Sequence, residues 1–204
     1  MANPNDKTIN YYDKNAYAWA VAHHGFEEES FWKDWMDKFH KLLPSGKVLE
    51  IGSGSGKDAL NLIKLGYDYV GTDASKGFLK LVKERFPNEI FITVRAQDLV
   101  KKFKANQFDG FWSAATLLHV PKDQIEKTLA GIHKIVKVGG IGFVSMRQGE
   151  GEKEDETGRL FSNYTLDKFA QLLNKNGFEI LEKKAQPAST EKVWLIYLVR
   201  SRGF

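Results

Sequence analysis

Glu50, Gly52, Gly54, Gly56 and Asp73 carry the strongest chemical signal in the sequence. Alternating glycines lack the Cβ that would keep a ligand away from the backbone. A turn of this kind that opens a helix also presents N–H groups without intrahelical partners, which favour electron-rich ligand groups. Asp73 follows about 20 residues past the glycines, where an acid in dinucleotide folds accepts hydrogen bonds from ribose hydroxyls. The chemistry open to this set is recognition of a nucleoside. His119 is the best candidate for handling a proton near neutrality. His23 and His24 come second, while His40 and His133 fall in helical patterns and read as surface.

The elements that position the glycines and Asp73 form one βαβ unit, Lys47 to Asp73. Val48, Leu49 and Ile51 are the short apolar run of a strand buried on both faces. Ala59, Leu60, Leu62 and Ile63 then recur at helical spacing, and Tyr69 and Val70 open a second strand that ends at Asp73. Upstream, residues 1 to about 8 read as disordered. A helical pattern starts at Tyr11 and continues through Tyr12, Ala16 and Trp19 or Ala20. Phe31, Trp35, Phe39 and Leu42 or Leu43 mark a second amphipathic helix, with an acidic start at Glu27, Glu28 and Glu29 and a stop at Pro44-Ser45-Gly46.

Downstream, Ser75 is a plausible N-cap for a helix carrying Phe78, Leu79, Val82 and Phe86, which Pro87 stops. Ile90 to Val94 reads as a third strand and Phe108 to Trp112 as a fourth. Pro121 suits the first position of a helix whose buried face is Ile125, Leu129, Ile132 and Ile135. Ile141 to Met146 is a fifth strand. Thr165 caps a helix with Leu166, Phe169, Leu172 and Leu173 inside, and Asn176-Gly177 ends it. Phe178 to Lys184 and Val193 to Arg200 read as the last two strands. No repeat or second domain is visible. The expectation is one domain over 1–204, with a helical cap over 1–46 and an α/β core over 47–204.

The 204 residues are enough for a substantial core. Hydrophobic residues at 42% and charged residues at 27% are the profile of a soluble globular chain. No apolar run approaches the ~20 residues that span a bilayer, and MANPNDKTIN lacks the apolar centre of a signal peptide. With no cysteine, disulfides, thiolate metal sites and cysteine nucleophiles are excluded. No metal site is read, and the expected compartment is the cytoplasm. The net charge of +4 comes from scattered lysines rather than one basic face, which argues against a nucleic-acid partner. The sequence assigns no oligomeric state.

Two nucleotide motifs do not match. In a P-loop the residue after Gly56-Lys57 would be Ser or Thr, and here it is Asp58. In the NAD fingerprint the third glycine would stand where Lys57 stands. What remains, Glu50-x-Gly52-x-Gly54-x-Gly56 after Val48-Leu49, resembles the signature of class I S-adenosylmethionine (SAM)-dependent methyltransferases. The resemblance runs roughly from Tyr11 to the C-terminus. It implies a doubly wound, seven-stranded, mostly parallel Rossmann-like sheet with an N-terminal helical cap. It implies SAM as cofactor and S-adenosylhomocysteine (SAH) as product. The cofactor contacts it implies are Tyr11, Glu50, Gly52, Ser53, Gly54, Gly56, Asp73, Ala74, Gln97, Asp98, Leu99, Ser113 and Ala114, with the acid of Gln97-Asp98 in the family's adenine slot.

The stretch from Ser113 to Val120 is similar to the (S/A)xxLLHVP loop of a small-molecule branch. It lacks the Asp/Asn-Pro-Pro-Tyr/Phe loop of enzymes that methylate planar nitrogens. Lys137-Val138-Gly139-Gly140 is similar to the family's KPGG turn, with Val138 in place of proline. The Tyr11-Tyr12-Asp13 segment either folds over the cofactor or pads the sheet. The sulfonium of SAM already makes its methyl electrophilic, so an enzyme must align the acceptor and exclude water. His119, Tyr12 and Arg147 are the catalytic candidates. The acidic segment Arg147 to Tyr164 is either a mobile surface loop or a substrate lid, in which Arg147 and Arg159 would hold a carboxylate or phosphate. The expected activity is methyl transfer to a small-molecule acceptor. A tRNA or protein methyltransferase, a SAM-binding module without turnover and an NAD(P) oxidoreductase are the alternatives.

Overall fold

Strand β1 (Lys47–Ile51) lies inside a seven-stranded sheet, between β2 (Asp68–Asp73) and β4 (Phe108–Ser113), and pairs with both in parallel. The computed structural model describes residues 5–23, 30–189 and 192–203. His24 and Glu27 to Glu29 lie outside the described residues. Beyond β2 comes β3 (Ile90–Thr93). Beyond β4 come β5 (Val136–Arg147), β9 (Val193–Ser201) and β8 (Phe178–Pro187). The chain fills one side of β1 first, then crosses to the other through β4. That reversal is the topological switch point at which open α/β sheets bind ligands, outside the strands' carboxyl ends. Strand β9 runs antiparallel to β5 and β8, as expected of the terminal pair.

The helices cover the sheet with the apolar faces that their spacing implies. Helix α3 (Lys57–Lys64) buries Ala59 and Leu62, and α4 (Lys76–Arg85) buries Phe78, Leu79 and Val82. The Ser75 hydroxyl accepts from Phe78 N–H at 3.1 Å, and Thr165 caps α6 (Leu166–Lys175) in the same way. Helix α2 (Lys33–Leu42) places Phe39 against Trp112, which stacks on Phe143 at 3.8 Å. Phe31, expected on the same buried face, is 53% exposed and lies before the helix begins.

Several expectations are corrected. Residues 5–8 are not disordered: α1 (Asn5–Ala22) starts at Asn5 and buries Asn5 and Thr8. Pro121 precedes rather than opens its helix. α5 is Ile125–Ile135, and the Pro121 carbonyl accepts from Gln124 N–H in the turn before it. Lys137 to Gly140 is not a turn between elements. β5 runs through it, with Gly139 at φ +81° where the register with β4 shifts. The Arg147–Tyr164 segment contains a hairpin, β6 (Glu152–Glu154) and β7 (Leu160–Ser162). His133 is buried, with Nε2 at 2.9 Å from the Arg202 carbonyl. His40 is half-buried and bonds Tyr67. Among the described residues, no helix is long and apolar enough to cross a membrane.

Candidate active site

The turn after β1 is fastened to β2. The N–H groups of Gly52 and Ser53 both donate to the Thr72 carbonyl at 2.8 Å. Gly54 N–H donates to Asp73 Oδ2 at 2.9 Å and Ser75 N–H to Asp73 Oδ1 at 2.8 Å. Burial raises the Asp73 carboxyl to about 6, against the pull of those two N–H bonds. The alternating glycines do different work. A Cβ on Gly52 would sit 2.0 Å from Thr116 Oγ1, and one on Gly56 would sit 2.7 Å from the Phe86 ring. At Gly54, with φ +50°, a Cβ would meet nothing within 4 Å. Gly54 is thus where the backbone lies open to a ligand, while Gly52 and Gly56 serve packing.

A cleft enclosing about 740 Å³, its mouth included, opens above this turn. Gly52, Gly54, Asp73, Ala74, Gln97, Ala114, His119 and Tyr12 all line it. Its roof is α1, held to the β6–β7 hairpin, to the loop after β3 and to α4. Thr8 Oγ1 accepts from Leu160 N–H at 2.8 Å, Lys7 pairs with Glu154, Asp6 with Arg95, and Asp13 accepts from Gly77 N–H. Beyond β4, Ala115 adopts φ +52°, held by its N–H bond to Ser145 Oγ at 2.8 Å. A left-handed alanine costs about 1–2 kcal/mol, and such residues cluster at functional sites.

One hydrogen-bonded chain crosses the roof. His119 Nδ1 is 2.6 Å from the Leu160 carbonyl, and Nε2 is 3.1 Å from the Tyr12 hydroxyl. A carbonyl only accepts, so Nδ1 carries the proton. Burial, with the nearby Arg159 charge, lowers the His119 pKa to about 4, so the ring is neutral at pH 7 and Nε2 accepts. Burial raises the Tyr12 pKa above that of an ordinary phenol, so its O–H donates. Arg159 donates to Tyr12 at 3.4 Å and to Asp155 at 2.8 Å. Burial would raise Asp155, but bonds from Thr157 and Arg159 hold it down at about 2.

A second hollow on the other side of the glycine turn is lined by Glu50, Ser53, Trp19 and His23. Glu50 is buried and accepts from the Tyr69 hydroxyl; burial and the neighbouring Asp58 push its carboxyl well above the usual range. The remaining expected residues do not line the cleft. Tyr11 packs on Arg159, and Arg147 lies over the Phe161 ring. Asp98 pairs with Lys101 on the surface, and Leu99 is core. Ser113 is buried behind the Ala114 loop. Sequence reasoning missed Asn5, Thr8 and Thr116. Only the polar residues at helical spacing before Tyr12 hinted at the first two.

The residues present fit a nucleoside-bearing cofactor. Among the described residues, Ser53 Oγ, Gln97 Oε1, Ser113 Oγ and Trp19 Nε1 are buried without a hydrogen-bond partner. All four belong to the glycine turn, the ends of β3 and β4, or the cap. Gln97 lines the cleft, and Ser53 and Trp19 line the hollow across the glycine turn; buried polar atoms are seldom left unpaired, and a polar ligand spanning both would serve these three. Among the described residues no group of His, Asp and Glu could hold a metal.

Residues 49–144 match the family described as "Methyltransferase domain". Over this stretch the chain is similar to methyltransferases. That segment runs from β1 to β5 and contains the whole glycine turn, Asp73 and His119. An uncharacterized methyltransferase of Synechocystis is 30% identical over 112 residues, covering 52% of each chain. The chain therefore spans about half the length of that curated relative. Two solved structures share the fold of this chain over 100% of its length. One is a Burkholderia thailandensis 1,6-didemethyltoxoflavin-N1-methyltransferase with bound 1,6-didemethyltoxoflavin and S-adenosylhomocysteine (TM-score 0.76, 19% identity, 92% of that chain). The other is the [4+2]-cyclase SpnF (TM-score 0.77, 17% identity, 98% of that chain).

Proposed function

We propose that the chain is an enzyme that transfers the methyl group of SAM to a small-molecule acceptor, releasing SAH. The observation that carries this reading is the open backbone at Gly54 beside the half-buried Asp73 carboxyl, in a cleft that Gln97 also lines with an unpartnered Oε1. The likeness of fold to a small-molecule methyltransferase with SAH bound supports it. When bound, SAM supplies an electrophilic methyl group. Asp73 accepts from the ribose hydroxyls, with Ala74 beside it. Gln97 offers its amide to the adenine. Gly52, Ser53, Gly54 and Ala114 face the rest of the cofactor.

His119 and Tyr12 act by position. The neutral, doubly bonded imidazole holds the Tyr12 hydroxyl at the cleft wall, where it orients the acceptor and helps to keep water out. The chain is read as one domain with its cap at 1–46. The absence of cysteine accords with a cytoplasmic setting.

The test is a screen of metabolite pools for SAH release from SAM. Turnover on a small compound is the expected result, and turnover only on tRNA or protein would replace the acceptor assignment. A second reading, binding of SAM without methyl transfer, is favoured by the equally close fold of a cyclase, since fold alone does not fix the reaction. SAH binding with no turnover on any pool would support it.

A further inference from the structure

Resting on the proposed methyl transfer, we propose that Arg147 and Lys192 form a subsite for a carboxylate or phosphate carried by an acceptor with an aromatic or apolar body. Arg147 ends β5, the neighbour of the strand whose loop carries His119. It faces Trp194 in the β5–β9 register, and the Lys192 ammonium lies 4.3 Å from the centre of the Trp194 ring. Both cations therefore lie by Trp194 at the carboxyl end of β5, Arg147 placed by strand register and Lys192 by the turn in which Ala188 N–H donates to its carbonyl.

Phe161 connects this point to the cleft. Its ring centre is 4.8 Å from that of His119 and 5.5 Å from the Arg147 guanidinium carbon. Phe161 is half-buried, so it offers an apolar surface between the imidazole and the charge. Arg159 also lies against Phe161, at 5.4 Å, but its Nε and Nη2 both donate to Asp155 Oδ2. The anion role expected of Arg159 passes instead to Lys192.

Neither Arg147 nor Lys192 has an acidic partner among the described residues. Like charges gathered without a counter-ion repel each other, and an anionic group seated between them relieves that repulsion. Lys192 registers the field: partial desolvation of its ammonium, then Arg147 and Arg159, lower its pKa below that of an ordinary lysine. A guanidinium beside an ammonium offers a fork of donors and a movable point charge, a combination suited to either oxyanion.

Calorimetry tests this with benzoate and phenyl phosphate as probes and benzamide as the neutral control, on protein with and without saturating SAH. SAH affinity is measured first, so failure of the cofactor reading is seen separately. Saturable binding of at least one anion, weakened by added salt and absent for benzamide, is expected; which anion binds separates carboxylate from phosphate. Arg147→Gln and Lys192→Gln should each weaken it at least tenfold with SAH affinity unchanged. Lys192 is exposed, so its variant stands in should the Arg147 variant misfold. No saturable anion binding, equal binding of benzamide, or unchanged anion affinity in the folded variants would overturn the proposal.

Discussion

Tyr12 donates its hydroxyl proton to His119 Nε2 across 3.1 Å, joining the N-terminal helix to the loop after β4. The bond occupies the only nitrogen of His119 able to take a proton, because Nδ1–H already serves the Leu160 carbonyl. His119 thereby becomes a positioning group rather than a free base. His119→Asn should keep most of kcat, because an amide can accept from Tyr12. His119→Ala should lower kcat roughly tenfold or more, since it removes the acceptor of the Tyr12 hydroxyl proton. The check is kcat at saturating SAM from pH 5.5 to 8. A falling limb near pH 6.5 that disappears in His119→Asn would restore His119 as the base.

The same bonding fixes a pH dependence of stability. His119 titrates at about 4 in the fold and near 6.5 when unfolded, so the unfolded chain binds the extra proton first. Its contribution is fully present above pH 6.5 and is lost as pH falls toward 4. Asp73, raised to about 6 from 3.8, works in the opposite direction, gaining relative stability as pH falls from 6 toward 4. The two slopes oppose each other in the wild type. Removing His119 uncovers the Asp73 slope. Urea unfolding should show His119→Asn gaining on the wild type by on the order of 2 kcal/mol between pH 7 and pH 4.5. A gap that does not change with pH would refute the neutral buried imidazole.

Asp73 should also set the pH dependence of cofactor affinity. Its ionised form is the better acceptor for ribose hydroxyls, and its pKa is about 6. SAH affinity should therefore weaken as pH drops below 6, by about tenfold per unit once the acid dominates. Asp73→Ala should weaken binding by about tenfold to a hundredfold at pH 7.5, from the roughly 1.5–3 kcal/mol of a hydrogen bond to a charged group. Unchanged affinity in a folded variant would remove Asp73 from the site.

Much of this site was legible because its parts are local in the chain. Glu50 to Asp73 is one βαβ unit, and the apolar runs of β1, β2, β4 and the α4 face read directly as buried elements. The distinct duties of the glycines were not legible. Gly52 meets Thr116 and Gly56 meets Phe86, and both contacts join segments far apart in sequence. The β6–β7 hairpin was hidden for another reason. Its strands have three residues each, and Glu152–Glu154 is wholly exposed, so no alternating pattern marks it. In the expected adenine slot Asp98 bonds Lys101 while Gln97 beside it faces the cleft, a difference in direction between adjacent residues that the sequence does not mark.

The division among the glycines is separately testable. Gly54→Val should abolish SAH-induced thermal stabilisation, with Tm lowered only as far as a left-handed valine requires, about 1–2 kcal/mol. Gly52→Ala should chiefly lower Tm, because its Cβ would overlap Thr116. Normal SAH-induced stabilisation of Gly54→Val would place the ligand elsewhere.

Calorimetric titration of the wild-type chain with SAH, and separately with NAD, tests the central claim most directly. The expected result is saturable one-to-one binding of SAH and no measurable heat from NAD. Binding of NAD in place of SAH, or of neither, would contradict the assignment of the Gly54–Asp73 cleft to SAM.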